Sequence, residues 1–294
     1  SLTMTHEQKL TALANHADSL MEVLDVPEGL DELLNVPIEK KCICDLNEGH
    51  APVRPRYIVP DYAKFMREGC KFLRLDPPKD LAEALNSLLI FYKHVPSVTN
   101  YPVFIGNLDQ LIEPFLDGVD DETALKAIRM FLMHVDRTIV DSFCHADIGP
   151  VPTRAGMLIM KAESELEDAT PNLTMRYDPD VTSDEYALAG VDCALHCAKP
   201  SFANDKMFRS ELGDNYAIAS CYNGLLIGGG SFTLCRLLLN HIADRADSIE
   251  QFKNETLPYV LDIMARYMDA RIKFIVEESN FFEYNLLAQE GFID

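Results

Sequence analysis

Cys221 is the residue with the clearest potential for chemistry, because it lies between a short apolar run and a glycine-rich turn. The run Tyr216-Ala-Ile-Ala219 has the apolar, β-forming character of a strand, and three glycines follow at 228–230. Side chains at such a strand end point into whatever the strand encloses, and glycines let another backbone approach closely. Since a free cysteine is most often a small buried apolar residue, an inert, buried Cys221 is the alternative interpretation.

Other cysteines have the residue types and short spacing of metal ligands. Cys42-x-Cys44 is followed by His50, and Cys193-x-x-His-Cys197 places two thiols at i and i+4 on one face of a predicted helix. Such a pair can bind zinc when a third ligand is available. No second Cys/His pair follows at suitable spacing, so the sequence predicts buried cysteines and no metal.

His145 is a candidate for proton transfer or substrate binding. Cys144-His145 stands between a predicted helix and a Gly-Pro turn, a position from which polar side chains often face a cleft. An imidazole titrates near neutral pH, so His145 is a candidate general acid or hydrogen-bond donor to a substrate. The alternative is a histidine that caps the C-terminus of the preceding helix.

The segment Asn172-Leu-Thr-Met-Arg-Tyr177 alternates polar and apolar residues and predicts a strand. Side chains on a strand alternate between two faces, so Asn172, Thr174 and Arg176 share one side. If this side faces the interior of the fold, the three residues line a polar cavity suited to an anionic or hydroxylated substrate. In the alternative the odd-numbered residues line the cavity, but we predict that this more apolar set packs against helices.

Composition limits the classes of function. The chain has 294 residues and a formal net charge of −21, which disfavours binding to a phosphate backbone. No apolar run approaches the roughly 20 residues that span a bilayer, and no secretory signal pattern opens the chain. The eight cysteines are scattered, which favours reduced thiols and a cytoplasmic protein.

The spacing of apolar residues predicts a helix-rich α/β fold with short strands between longer helices. Predicted helices lie at 7–24, 61–75, from Asp80 onward, 121–143, 154–168, 184–198 and 256–278, and predicted strands lie at 172–177, 217–221 and 232–236. Asp61 and Asp80 are the predicted N-caps of their helices. Two regions follow: an N-terminal helix with an irregular segment at 1–60, and α/β structure with surrounding helices at 61–294.

Four segments resemble those of the glycyl radical enzymes, in the order in which that superfamily carries them. They are Ile105-Gly-Asn-Leu-Asp-Gln-Leu-Ile-Glu-Pro-Phe115, Pro171-Asn-Leu-Thr-Met-Arg-Tyr177, Asp214-Asn-Tyr-Ala-Ile-Ala-Ser-Cys221 and Gly229-Gly-Ser-Phe-Thr-Leu-Cys-Arg-Leu-Leu-Leu239. The resemblance extends from about His50 to the end of the chain and is greatest to the YjjI-like branch. Two features depart from the pattern: Asn107 stands where arginine is usual, and the Arg-Val-x-Gly-Tyr type of segment that carries the glycyl radical is not found in the sequence.

The resemblance implies a ten-stranded α/β barrel built from two half-barrels, of which this chain supplies a part. It implies a radical-SAM activating enzyme as partner, which generates a radical on a backbone glycine. Cys221 is then the residue that becomes a thiyl radical and abstracts hydrogen from a substrate. We expect the chain to be the N-terminal part of such an enzyme, with the radical glycine outside it, no bound cofactor, and no activity by itself.

The sequence therefore predicts a glycyl radical enzyme-like protein that acts on an unidentified small molecule, without nucleic-acid or membrane partners; a homodimer stays open. The closest enzymatic alternative is an activity like that of anaerobic ribonucleotide reductases. An alternative from another class is a non-catalytic helical scaffold or interaction protein that retains a vestigial half-barrel. The predicted site has one catalytic residue and five substrate-binding residues: Cys221, and His145, Asn172, Thr174, Arg176 and Asn223.

Overall fold

The computed structural model describes residues 24–45, 55–95, 103–138, 144–219, 221–279 and 281–294. These residues form two compact units. The larger unit comprises Tyr57–Gly230 and Asn285–Asp294, and the smaller unit comprises the described parts of Ser1–Arg56 and Ser231–Tyr284. The helix predicted at 7–24 falls, apart from Leu24, outside the described residues.

The strands within the described residues are short. In chain order they are β1 Ile43–Asp45, β2 Tyr57–Ile58, β3 Val103–Asn107, β4 Cys144–Ile148, β5 Asn172–Tyr177, β6 Ser201–Asn204, β7 Tyr216–Ile218, β8 Gly224–Leu226, β9 Gly230–Ser231 and β10 Cys235–Leu237. Strands β3 to β6 form one parallel sheet in sequence order, and β7 with β8 forms an antiparallel hairpin. The predicted α/β class with parallel pairing is confirmed, and β5 has the predicted bounds.

Helices account for most of the remaining regular structure. They are α1 Leu30–Leu34, α2 Tyr62–Glu68, α3 Leu81–His94, α4 Leu108–Ile112, α5 Asp121–Thr138, α6 Arg154–Leu166, α7 Asp184–Cys197, α8 Asp205–Leu212, α9 Leu239–Ala243, α10 Ile249–Gln251, α11 Leu257–Lys273, α12 Phe281–Tyr284 and α13 Leu286–Gln289. Short 3-10 turns lie at Ile38–Lys40 and Glu113–Phe115, and π-helical turns at Phe252–Thr256 and Phe274–Glu278. None of the helices in the described ranges is long and apolar enough to cross a lipid bilayer.

The parallel sheet lies at the centre of the larger unit. Each connection between neighbouring parallel strands contains a helix of more than ten residues, as parallel pairing requires: α5, α6 and α7 in turn. All five residues of β4 are buried, which is typical of a parallel strand covered on both faces. The sequence prediction omits β3, β4 and β6, because these strands are only four or five residues long and follow directly on predicted helical or loop segments.

Side-chain caps fix where the helices of the larger unit begin. The carboxylate of Asp61 accepts a hydrogen bond from the Lys64 amide at 3.0 Å, and that of Asp80 accepts one from the Glu83 amide at 2.8 Å, so both predicted N-caps are confirmed. The first of these helices ends at Glu68, seven residues before the predicted end. Gly69 stops it because its φ is +75° and a Cβ there would lie 2.3 Å from the Leu75 carbonyl oxygen.

The smaller unit has its own apolar core around α11. Strand β1 pairs antiparallel with β10, with Ile43 opposite Leu237. Residues of α1, β1, α9 and α11 form its buried cluster: Leu30, Leu33, Leu34, Cys42, Ile43, Ile242, Val260, Ile263 and Tyr267. The helix predicted at 256–278 is therefore confirmed as α11 and its following π-turn, whereas the segment predicted to be irregular contains α1, β1 and β2.

Candidate active site

Cys221 lies at the tip of the β7–β8 hairpin, whose body is buried. Ala217 pairs with Leu225, and every residue from Tyr216 to Ala219 is at most 1% exposed. At the tip, the Ala219 amide donates to the Asn223 carbonyl at 2.9 Å, which closes the loop around Cys221. Among the described residues nothing buries Cys221, and its side chain is exposed. The alternative of a buried Cys221 is therefore wrong.

Polar side chains of the parallel sheet fasten this hairpin to one face of the sheet. The Ile218 amide donates to the Asp147 carboxyl group at 2.7 Å. The side chains of Asn107 and Arg176 both donate to the Tyr216 carbonyl oxygen, each at 3.4 Å. Three strands, β3, β4 and β5, thus each supply one side chain that binds the β7 backbone. Ala217, Ala219 and Leu225 of the hairpin also share a buried apolar cluster with Phe104 of β3, so hydrogen bonds and apolar contacts together hold the hairpin on the sheet.

Arg176 is held by internal contacts on all sides. Its Nε and Nη2 donate to the Gly149 carbonyl oxygen at 3.1 and 2.6 Å, and its guanidinium carbon lies 5.1 Å from the centre of the Tyr216 ring. The residue is 3% exposed. Arg176 therefore positions the hairpin over the sheet, and its guanidinium does not line an open cavity in the described residues.

Asp147 has the most unusual environment on this face. It is fully buried, and burial raises its pKa to about 8, although the Ile218 amide and the Arg176 charge oppose the shift. Its second carboxyl oxygen has no hydrogen-bond partner among the described residues. At pH 7 Asp147 therefore holds a proton, which makes it a neutral group beneath the hairpin.

Asp109, in the first of the family-like segments, ties the end of β3 to the end of β4. Its carboxylate accepts hydrogen bonds from the Gly149 amide at 3.0 Å and from the Thr153 hydroxyl at 3.2 Å. Burial raises its pKa to about 6, less than that of Asp147, because these donors and Arg176 favour the charged form. Asp109 is a positioning residue for the turn whose carbonyl receives Arg176.

His145 and Asn223 are joined by a series of direct contacts. The Asn223 side chain donates to the Tyr57 hydroxyl at 2.7 Å, the Tyr57 ring lies 4.8 Å from the Phe104 ring, and Phe104 stacks on His145 at 4.7 Å. Side-chain contacts through Tyr57 and Phe104 thus connect the loop that contains Cys221 with His145 on β4. The alternative of a helix-capping histidine is wrong, because His145 is the second residue of a central strand and is 2% exposed.

The even-numbered residues of β5 lie on the face that the hairpin covers. Thr174 is buried, and its hydroxyl has no hydrogen-bond partner among the described residues. Asn172 is half-buried and stands opposite His145, near the amino-terminal ends of the strands. On the other face, Met175 packs against α7 so closely that a Cβ on Gly190 would lie 2.7 Å from its methyl group.

A cavity of about 200 Å³ lies at the base of the hairpin rather than at its tip. Asn107 and Asn215 line it, together with Tyr62. The carbonyl oxygen of the Asn107 side chain and the Tyr62 hydroxyl are buried there without a hydrogen-bond partner in the described part of the chain. Since Asn215 precedes Cys221 by the whole length of β7, this cavity is separate from the thiol.

Sequence reasoning missed Asp147, Asp109 and Tyr57. Asp147 was hidden because β4 was not recognised as a strand, although the Gly149-Pro150 turn directly after it is the signal that ends a strand. Asp109 belongs to the first family-like segment, residues 105–115, but no sequence pattern indicated its function. Nothing in the sequence around Tyr57 indicates a contact with a residue 166 positions away.

Comparison with known proteins decides the family. The family model "Glycyl radical enzyme YjjI-like" matches residues 4–294. The chain belongs to the YjjI-like glycyl radical enzyme family. The chain is 50% identical over 290 residues to an uncharacterised protein of Haemophilus influenzae, and 39% identical over 298 residues to the uncharacterised protein YjjI of Escherichia coli. These matches cover 99% and 100% of the chain but 56% of each relative, so the chain spans about half their length.

Three of the segments that resemble the glycyl radical enzymes come together in the larger unit. The first supplies β3 with Asn107 and Asp109, the second supplies β5 with Arg176, and the third supplies β7 and the loop to Cys221. Asn107, where the YjjI-like chain departs from the usual arginine, binds the β7 backbone. The fourth segment begins at Gly229, and a Cβ at the next residue, Gly230, would lie 2.2 Å from the Tyr57 carbonyl oxygen. The predicted close backbone approach at these glycines is confirmed at that position.

Proposed function

We propose that this chain supplies part of the barrel of a glycyl radical enzyme and that Cys221 is its thiyl-radical residue. The observation that supports this most is the position of Cys221 in a YjjI-like chain: an exposed thiol at the tip of a hairpin whose body is buried on a parallel sheet. A radical on another part of the protein can reach such a thiol.

The proposed reaction moves one hydrogen atom at a time. A glycyl radical takes the hydrogen atom of the Cys221 S–H bond, which restores the glycine CH₂ group and leaves an unpaired electron on sulfur. The thiyl radical then takes a hydrogen atom from a C–H bond of the substrate, which restores the thiol and leaves a substrate radical. Hydrogen-atom transfer needs a thiol rather than a thiolate, so the protein's task is positioning and exclusion of water and oxygen.

In this proposal the parallel sheet β3–β6 belongs to one half of a ten-stranded α/β barrel. The radical glycine lies outside residues 1–294, and a radical-SAM activating enzyme generates its radical, so no cofactor stays bound to this chain. The proposed place of action is the cytoplasm and the proposed substrate is a small molecule, while a homodimer stays open. The YjjI-like family match and the parallel sheet support this arrangement.

The site residues divide by their contacts. Asn223, two residues after Cys221 in the same tip, is the proposed contact to substrate, and His145 supports it through Tyr57 and Phe104. Asn172 and Thr174 shape the polar wall beneath the hairpin. Arg176 serves as a positioning residue, because its donors are taken by backbone carbonyls.

Electron paramagnetic resonance of the activated full-length protein tests this function. The protein is incubated without oxygen with its activating enzyme, S-adenosylmethionine and a reductant. We expect the doublet of a glycyl radical, split by the remaining α-hydrogen, in wild type, in Cys221→Ser and in the control Cys70→Ser. Absence of the doublet in wild type would overturn the enzyme proposal in favour of a non-catalytic scaffold.

A further inference from the structure

Three metal-ligand groups converge on the helix-covered side of the sheet. One carboxylate oxygen of Glu163, on α6, and the sulfur atoms of Cys193 and Cys197, on α7, all lie within 4.8 Å of one another. The two sulfur atoms are 3.8 Å apart. His196, the nitrogen ligand type in this motif, is exposed and its ring contacts the Asp192 carbonyl at 2.8 Å, so the third group of the cluster is Glu163.

Glu163 is the member of the cluster that the protein leaves unsatisfied. It is 0% exposed, and neither of its carboxylate oxygens has a hydrogen-bond partner among the described residues. A buried carboxyl group without partners is costly, because it has lost its hydration and gained nothing in return. Lys199 is the cation whose charge acts on it, but the Lys199 ammonium group bonds to the Ser201 hydroxyl at 3.3 Å.

The two thiols are satisfied only weakly without a metal. Cys193 donates to the Met160 carbonyl at 3.3 Å, and Cys197 donates to the Lys199 carbonyl at 3.4 Å. Cys197 also lies 3.4 Å from the Cys193 carbonyl, and all three contacts have ordinary distances for sulfur but come from a weak donor group. Burial raises the pKa of each of the three groups above its ordinary value.

The ends of two helices add an electrostatic reason for a cation. α6 ends at Leu166 and α7 ends at Cys197, and Glu163, Cys193 and Cys197 all lie in the last turns. The C-terminal end of a helix carries partial negative charge, which stabilises a cation and destabilises bare thiolates or a carboxylate. The cluster is thus unfavourable as three anions and favourable around a metal ion.

We propose that Glu163, Cys193 and Cys197 bind one Zn²⁺ ion, with a water or hydroxyl oxygen as the fourth ligand. Two sulfurs at about 2.3 Å from a tetrahedral zinc ion are about 3.8 Å apart, which agrees with the distance between Cys193 and Cys197. Binding forms two Zn–S bonds and one Zn–O bond: each thiol gives up its proton to solvent as its bond to zinc forms, and Glu163 binds as the carboxylate. The ion joins the ends of α6 and α7, which pack on each other behind the sheet.

Metal content of the full-length protein tests this site. Wild-type protein is loaded with Zn²⁺, passed through a desalting column and analysed by mass spectrometry of metals. We expect about one zinc ion per chain in wild type and in Cys70→Ser, which removes a buried thiol of the same unit outside the cluster. Cys193→Ser, Cys197→Ser and Glu163→Gln should each lose most of this zinc. Equal zinc in wild type and the variants, or none in wild type, would overturn the proposal.

If the variants fail to fold, X-ray absorption of the zinc-loaded wild-type protein identifies the ligand atoms of the zinc ion. Two sulfur neighbours at about 2.3 Å and oxygen neighbours at about 2.0–2.2 Å are expected. A first shell made of nitrogen and oxygen alone would contradict the assignment. Cobalt in place of zinc should give thiolate-to-metal charge-transfer absorption, and its absence would contradict the site as well.

Discussion

The two faces of the β3–β6 sheet are covered by different means. On one face, Asp147 and Arg176 bind the backbone of a short hairpin through hydrogen bonds. On the other face, the apolar side chain of Met175 packs on α7 at the close approach that Gly190 allows. Ala217, Ala219 and Leu225 of the hairpin also pack with Phe104, so the difference lies in the directional hydrogen bonds that polar strand residues add to apolar packing on the hairpin face.

Replacement of Arg176 by methionine should weaken the hairpin face most. The change leaves the Gly149 carbonyl without its donor and the Tyr216 carbonyl with Asn107 alone, and a hydrogen bond from a charged donor contributes about 1.5–3 kcal/mol. The free energy of unfolding in urea measures it. The control Arg129→Met removes an exposed pair with Glu165 and should cost no more than about 1 kcal/mol. Equal losses in the two variants would mean that Arg176 does not anchor the hairpin.

Asp147→Asn should change how stability depends on pH. The pKa of Asp147 is raised to about 8 in the folded protein, against about 3.9 in an unfolded chain, so its contribution is fully present below about pH 4. It is lost as pH rises through the folded value, with a slope of up to about 1.4 kcal/mol per pH unit. The asparagine side chain still accepts a hydrogen bond from the Ile218 amide but does not titrate. The free energy of unfolding of the variant should therefore rise relative to that of wild type as the pH increases from 4 to 8.

Unfolding measured at several pH values checks this prediction. The exposed control Asp120→Asn should behave in the opposite sense, because Thr123 lowers the pKa of Asp120 and its effect appears only as the pH falls below about 4. A difference between wild type and Asp147→Asn that stays constant from pH 4 to 8 would contradict the environment described for Asp147.

A smaller change in stability should distinguish a buried hydroxyl that has a hydrogen-bond partner from one that has none. Thr174→Val removes a buried hydroxyl without a partner among the described residues and should leave stability unchanged or raise it by about 1 kcal/mol. Thr182→Val removes a hydroxyl that donates to the Pro150 carbonyl at 2.7 Å and should lower stability by about 1–3 kcal/mol. Thermal unfolding of both variants is sufficient, and a loss in Thr174→Val as large as in Thr182→Val would contradict the description of the hairpin face.

The smallest expected effect is that of Cys221→Ser on stability. An exposed thiol at a loop tip should change the free energy of unfolding by no more than about 0.5 kcal/mol. Cys144→Ser, at a fully buried position of β4, should cost about 1–3 kcal/mol because it buries a hydroxyl. A large loss in Cys221→Ser would show that the tip is packed rather than exposed.

The sequence predicted the elements that are long enough to show a clear period and missed several shorter ones. β5 and most helices have the expected place, because alternation over six residues and apolar spacing over three turns are visible locally. β4 was missed although Cys144-His-Ala-Asp-Ile148 alternates apolar and polar residues, because it is five residues long and directly follows the helix predicted at 121–143. Gly69 ended α2 early through contact with Leu75, which no helix pattern reveals.

Only those residues of the candidate site that belong to rare residue types, cysteine and histidine, could be predicted from the sequence. Cys221 and His145 were found as single residues, and only Cys221 lies in one of the family-like segments. Their connection through Tyr57 and Phe104 depends on contacts between distant parts of the chain. Glu163 was missed as a partner of Cys193 and Cys197, because it lies on a different helix and a lone glutamate has no spacing to recognise.

Exchange of hydrogen at the glycyl radical tests the role of Cys221 most directly. If the glycyl radical and the Cys221 thiol exchange a hydrogen atom reversibly, the thiol returns deuterium to the glycine in D₂O. The doublet of wild-type full-length protein should then collapse to a single line in D₂O, and so should that of Cys70→Ser. Cys221→Ser should keep its doublet. A doublet that persists in wild type, or that collapses equally in Cys221→Ser, would contradict the assignment of Cys221 as the thiyl-radical residue.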